Sequence, residues 1–244
     1  MNKEIWKRSI WDQKCPPWPC PSCSAGVVAV EPGSFKHAPT KASIAESAED
    51  WWGPENVVHS FVAWGMCSNA LCSEAFSLAG TGTVEIVPDE QGGADYEDAF
   101  ELRYCHPTLR LITLPKQCPD SVAEALTFAF SLYWVDRPAA AGRIRVAVER
   151  LLDHLGIPAK SKKGGYLPLD QRIDAFSKND PANGAHLMAL KWLGNVGSHT
   201  DYVNADDLLA AFEITEHALA EIIDKKSASI ARLAASITAK YGKP

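Results

Sequence analysis

An α+β fold follows from three features of this 244-residue chain. All seven cysteines lie in its first half, apolar residues alternate there, and a helical period begins beyond Pro119. The expected architecture is a small β module over residues 1–118, followed by an antiparallel α-helical bundle over residues 119–244. With 46% apolar and 22% charged residues the composition is that of a folded globular protein, which excludes disorder as the dominant state.

In the first half, Cys20-x2-Cys23 sits among prolines, with Pro19 before it and Pro21 between the thiols. A tight turn of this kind presents two thiolates, with free backbone N–H groups to stabilise the sulfur charge. A second pair, Cys67-x4-Cys72, is more loosely spaced. Together Cys20, Cys23, Cys67 and Cys72 form a four-thiolate set suited to structural zinc, giving a zinc-ribbon-like module. Four sulfurs leave no open coordination position, so the ion would fold the module and not catalyse. The competing reading is that the thiols are free and packed as small hydrophobes. Cys15 is the substitute ligand, because Cys15-x4-Cys20 mirrors the second pair. Cys105, His106 and Cys118 have no partner at ligand spacing.

Alternation predicts strands over 57–64, 82–87 and 100–104, with an acidic loop from Pro88 to Asp98. Residues 26–54 show little periodicity beyond a short helix near 41–51. Trp6, Trp11 and Trp18 precede the first cysteine pair and Trp51 and Trp52 follow it. Their expected role is to cover the module or dock it on the second half.

Beyond Pro119, Asp120 caps a helix running to about Trp134, and a second spans about 139–155 before Gly156. Ile144, Val148, Leu151, Leu152 and Leu155 share one face of that second helix. A short helix over 169–177 follows the basic loop carrying Lys160, Lys162 and Lys163, which reads as solvated. The helix over 184–199 is apolar nearly all round and is expected at the bundle centre. A further helix covers about 206–225, and another follows Ser227.

Residues 1–119 carry nine Lys+Arg against fifteen Asp+Glu, a net −6, and the remainder is neutral with fifteen of each. Coating of nucleic acid needs a basic surface, which neither half supplies. No apolar run reaches the ~18 residues of a membrane span, so no membrane partner is expected. The N-terminus lacks the apolar core of a secretory signal, and a cytoplasmic location is the expectation.

Three motifs occur in order: Pro107, Thr108, Leu109, Leu114, Pro115 and Pro119; the run from Ala140 to Leu152; and the run from Leu190 to His199. Over about residues 105–225 this pattern resembles the bacterial domain-of-unknown-function family 4145. The family looks like a branch of the HEPN helical-bundle superfamily, whose domains occur in restriction, toxin and other anti-phage systems. The resemblance implies a HEPN-like bundle. Many such domains are metal-independent RNases that act as dimers, using an arginine, the polar residue next to it, and a following histidine. On this chain Asn195 matches the polar residue and His199 the histidine, while Gly194 stands at the arginine position. Lys191 or Arg145 would have to supply the positive charge.

Asn195 and His199 are four apart, so a continuous helix puts them on one face. In a working site His199 is the general acid/base, Asn195 orients it or the phosphate, and the cation stabilises the phosphorane. In a structural version Arg145, Glu149, Asn195 and His199 form a polar network that sets helix register.

The function expected is a non-catalytic recognition or assembly module of a bacterial defence or nucleic-acid-processing system. Its partner would be a second copy or another protein of a defence complex. The alternative is an endoribonuclease acting on RNA through an atypical site. Nucleotide binding is a weaker third reading, because Gly164 and Gly165 follow Lys163 without a strand before them.

Overall fold

The computed structural model describes residues 1–88, 93–199 and 202–242, with the side chains of 197–199 outside the described set. The architecture is mixed α+β. The chain forms two compact units, Asn2–Leu111 with Tyr133–Val135, and Met1 with Ile112–Leu132 and Asp136–Pro244.

The first unit contains α1 (Glu4–Lys7), β1 (Ile10–Trp11), β2 (Val28–Val30), β3 (Lys36–Pro39) and α2 (Lys41–Glu46). A 3-10 turn (Pro54–Asn56) leads into β4 (Val58–Cys67), β5 (Ala75–Pro88) and β6 (Ala94–His106). All pairings are antiparallel, in the order β1-β6-β5-β4-β2, with β3 also paired to β4. Period-two alternation on β4 turns His59, Phe61, Ala63 and Cys67 inward and leaves Val58, Ser60, Val62 and Trp64 exposed. The core beneath is aromatic. Phe35 stacks on Phe61 with centroids 5.0 Å apart, and Phe100 meets them edge-on at 4.8 and 5.4 Å.

Several local expectations need correction here. The loop expected from Pro88 to Asp98 is largely strand: Val87 pairs with Asp95 and Pro88 with Ala94, so β5 and β6 form a long hairpin. Its turn, residues 89–92, lies outside the described residues. Residues 26–54 contain β2 and β3 as well as α2, both strands too short to show a period. Trp134 is not helical, because α3 ends at Leu132 and Trp134 packs edge-on against Trp6 and Trp18 at 6.1 and 5.9 Å. Trp18 is anchored further by donating its indole N–H to Ile5 O at 2.8 Å. Trp51 is exposed.

The second unit contains α3 (Asp120–Leu132), α4 (Arg137–His154), α5 (Leu169–Ser177), α6 (Pro181–His199), α7 (Ala205–Ile222) and α8 (Lys226–Tyr241). The central helix is α4, which packs on α3, α5, α6 and α7. The expectation that α6 is central fails because Trp192 and Val196 face solvent, whereas Ala140, Ala141, Ile144, Ala147, Val148, Leu151 and Leu152 of α4 are all buried. Leu155 falls beyond the helix and is partly exposed.

Local signals fix the helix ends. The Asp136 carboxylate accepts from Ala139 N at 2.8 Å, capping α4. Gly156, at φ +73°, closes it: Gly156 N donates to Asp153 O and Ile157 N to Leu152 O, a Schellman pair. Asp180 accepts from Asn183 N, so α6 starts at Pro181, earlier than the period suggests.

Candidate metal centre

The four cysteines converge from two turns. Cys20 and Cys23 flank a tight turn in which Ser24 N donates to Cys20 O at 2.9 Å. Cys67 ends β4, and Cys72 lies in the turn that returns the chain into β5. The four-residue gap of the second pair is therefore the loop of a hairpin, closed where Cys67 N donates to Glu74 O at 2.8 Å. Pairing of Val28 with Cys67 lays the first turn beside the second.

The sulfurs lie within 4.8 Å of one another, with Cys20 Sγ 3.8 Å from Cys72 Sγ and Cys23 Sγ 3.7 Å from Cys67 Sγ. Tetrahedral coordination with metal–sulfur bonds of about 2.3 Å has edges of about 3.8 Å, so the quartet could hold one metal ion. Gly26 is needed for this approach. A Cβ there would fall 2.5 Å from Cys67 Sγ and 2.8 Å from Asn69 N.

Backbone N–H groups point at the sulfurs, Gly26 N to Cys23 Sγ at 3.5 Å and Asn69 N to Cys67 Sγ at 3.4 Å. The N–H groups of Gly26 and Ala25 hold the Cys23 thiol down at about 6, whereas burial pushes Cys67 up to about 12. Cys15 stands outside the quartet, and burial pushes its thiol up to about 12. Cys105 and Cys118 join no ligand group among the described residues.

In the helical unit the candidate residues are placed differently. Gly194 of α6 lies directly against α4: a Cβ there would be 2.5 Å from Arg145 Cβ and 3.0 Å from Ala141 O. A side chain at 194 would collide with α4 as it is packed here. Arg145 instead passes over this glycine and pairs with Glu149 at 3.2 Å. Its Nε is buried without a hydrogen-bond partner. Lys191 is 7% exposed, its ammonium 3.6 Å from the Trp192 ring centroid. Asn195 is half-buried on α6. His199 ends that helix, but its side chain lies outside the described residues.

Two groupings were missed from the sequence. Arg172 is 5% exposed and donates to Asp153 Oδ1 at 2.7 Å and Ile157 O at 2.9 Å, tying α5 to the end of α4. His37, His59 and Asp98 come together on the sheet. Their wide sequence separation hides them; the inward phase of His59 on β4 is the one legible sign.

Comparison with known families agrees with the motif reading at a coarse level. The model of the family described as Domain of unknown function (DUF4145) matches residues 127–240. A second, described as Domain of unknown function (DUF8608), matches residues 8–107. The chain is thus similar to families of unknown function in both halves. No curated protein and no solved structure matches it. No helix among the described residues is long and apolar enough to cross a membrane.

Proposed function

We propose that this protein is a non-catalytic recognition or assembly module of a bacterial defence or nucleic-acid-processing system. In this reading its HEPN-like bundle mediates self-association, and its sheet is organised, zinc-ribbon-like, by a structural zinc ion on Cys20, Cys23, Cys67 and Cys72. The observation that carries assembly is α8. None of its residues is buried, and Ile230, Leu233, Ile237 and Tyr241 form one exposed apolar stripe.

A second copy of the chain is the occupant that the charges favour. The charged residues of α8 are Lys226, Arg232 and Lys240, all cationic, whereas α7 carries Asp206, Asp207, Glu213, Glu216 and Glu221 and no Lys or Arg. Dimerisation is also what the HEPN resemblance implies. The sheet offers a recognition surface besides: Val62, Ala79 and Tyr104 are cross-strand neighbours on its outer face, with Trp64 exposed beside them.

Four thiolates at tetrahedral spacing fit zinc and leave no open position, which supports a folding role. The cations of the bundle support a non-catalytic one, since Arg145 is paired with Glu149 and Lys191 rests on Trp192.

One observation favours a second reading. Arg145 crosses α6 at Gly194, the position where a HEPN RNase has its arginine, and so places a guanidinium near Asn195's turn of the helix. That is the composition of a metal-independent RNase site with the cation supplied from α4.

Sedimentation velocity and RNA cleavage without added metal test both readings. The wild type is expected to dimerise and leave RNA intact, with the Leu233→Glu/Ile237→Glu variant monomeric. A monomeric wild type, or a double variant that still dimerises, overturns assembly through α8. RNA cleavage abolished by His199→Ala overturns the non-catalytic reading and supports the RNase.

A further inference from the structure

We infer that His37, His59 and Asp98 form a second metal site, separate from the sulfur quartet, that takes one divalent first-row transition ion and leaves part of its coordination sphere open to a cavity.

Strand register builds the site. Pro39 of β3 pairs with His59 of β4, which places His37, two residues earlier, on the same side. His59 faces Gly82 of β5, and Gly82 faces Phe100 of β6. Asp98, two residues before Phe100, turns its carboxylate to that same face. One ligand atom from each of the three side chains lies within 4.8 Å of the others.

The distances suit an ion. His37 Nδ1 stands 3.4 Å from His59 Nδ1, and an ion shared with Asp98 would take a single His59 nitrogen, so loading asks for a small turn of a facing side chain. His59 Nε2 and Asp98 Oδ1 are 3.6 Å apart, too far for a well-formed hydrogen bond. The carboxylate therefore approaches His59 without closing onto it, leaving it available as the third ligand.

The site has a dry floor and an open roof. Phe100 lies under both imidazoles, with ring centroids 5.1 Å from His37 and 6.1 Å from His59. Gly82 makes room for it, because a Cβ there would collide with the Phe100 ring. His59 is buried, Asp98 is half-buried and His37 is exposed. On the open side is a cavity of about 430 Å³ whose lining includes Asp12, Gln13, Tyr96 and Glu97. Two imidazoles and a carboxylate select an ion such as Zn²⁺ or Fe²⁺ over Mg²⁺ or Ca²⁺, which prefer all-oxygen shells. Three protein ligands, of which His37 and Asp98 line the cavity, leave room for water or an anionic or carbonyl ligand, unlike the closed quartet.

Cobalt(II) titration of the metal-free full chain under reducing conditions separates the two sites, because thiolate ligands give intense charge-transfer bands and nitrogen and oxygen ligands give only weak visible ones. Two equivalents are expected, one with each signature. His37→Ala, at an exposed edge position, and Asp98→Asn should each lose the equivalent without thiolate character and keep the other. Should the quartet fail to load, one equivalent with only weak bands, lost in His37→Ala, still supports the inference. Saturation at one thiolate-type equivalent, or two equivalents retained in both variants, overturns it. Backbone circular dichroism matching the wild type establishes that the variants are folded.

Discussion

Three of the glycines at close contacts bear on the candidate sites. Gly26 admits the Cys67 sulfur, Gly82 admits the Phe100 ring, and Gly194 admits Arg145. At Gly194 the colliding atom is a Cβ, held by its own backbone and unable to swing aside. Gly194→Ala is therefore expected to destabilise the helical unit by about 1–3 kcal/mol, the usual cost of overpacking, read by urea denaturation of the helical signal. Unchanged stability would mean that α4 and α6 are not locked together here. The sequence displayed this glycine as a missing arginine. What it could not display was the helix lying against it.

Helices and strands were legible to different degrees. Caps and breakers act within a turn of the chain, so α4 and α7 follow closely from Asp136, Gly156 and Asn204, the last accepting from Asp207 N at 2.7 Å. Asp136→Ala removes one such cap and should cost about 1 kcal/mol, seen as a lower denaturation midpoint; an unaltered midpoint would show that Pro138 at the helix start suffices. Strands depend on partners. The hairpin of β5 and β6 carries Asp95 and Glu97, which read as loop until each strand supplies the other's hydrogen bonds. Likewise β2 and β3 are three and four residues long and exist because both pair along one edge of β4.

For the molecule as a whole, a metal ion at the quartet is expected to hold β2 against the β4–β5 hairpin, since each contributes cysteine-bearing chain. Stripping it with a strong chelator should raise hydrogen exchange at Val28–Val30 and Cys67, and readdition of zinc should restore protection. Exchange that stays slow in a preparation shown to be metal-free would deny the ion that role. The quartet itself was readable, because four thiols in two close pairs form a local pattern. The grouping of His37, His59 and Asp98 was not, because register across three strands assembles it.

Sequence alone established the α+β order, the change from period two to helical period near Pro119, most helix ends and the four cysteines. Each depends on residues a few positions apart, where backbone geometry dictates which side chains meet. Tertiary structure decided the rest: that α4 and not α6 is central, that Trp134 joins Trp6 and Trp18, that α8 exposes its apolar stripe, and that two histidines and an aspartate share one face. These rest on contacts between distant segments. Such contacts are fixed by packing and strand register, and a local period carries no information about either.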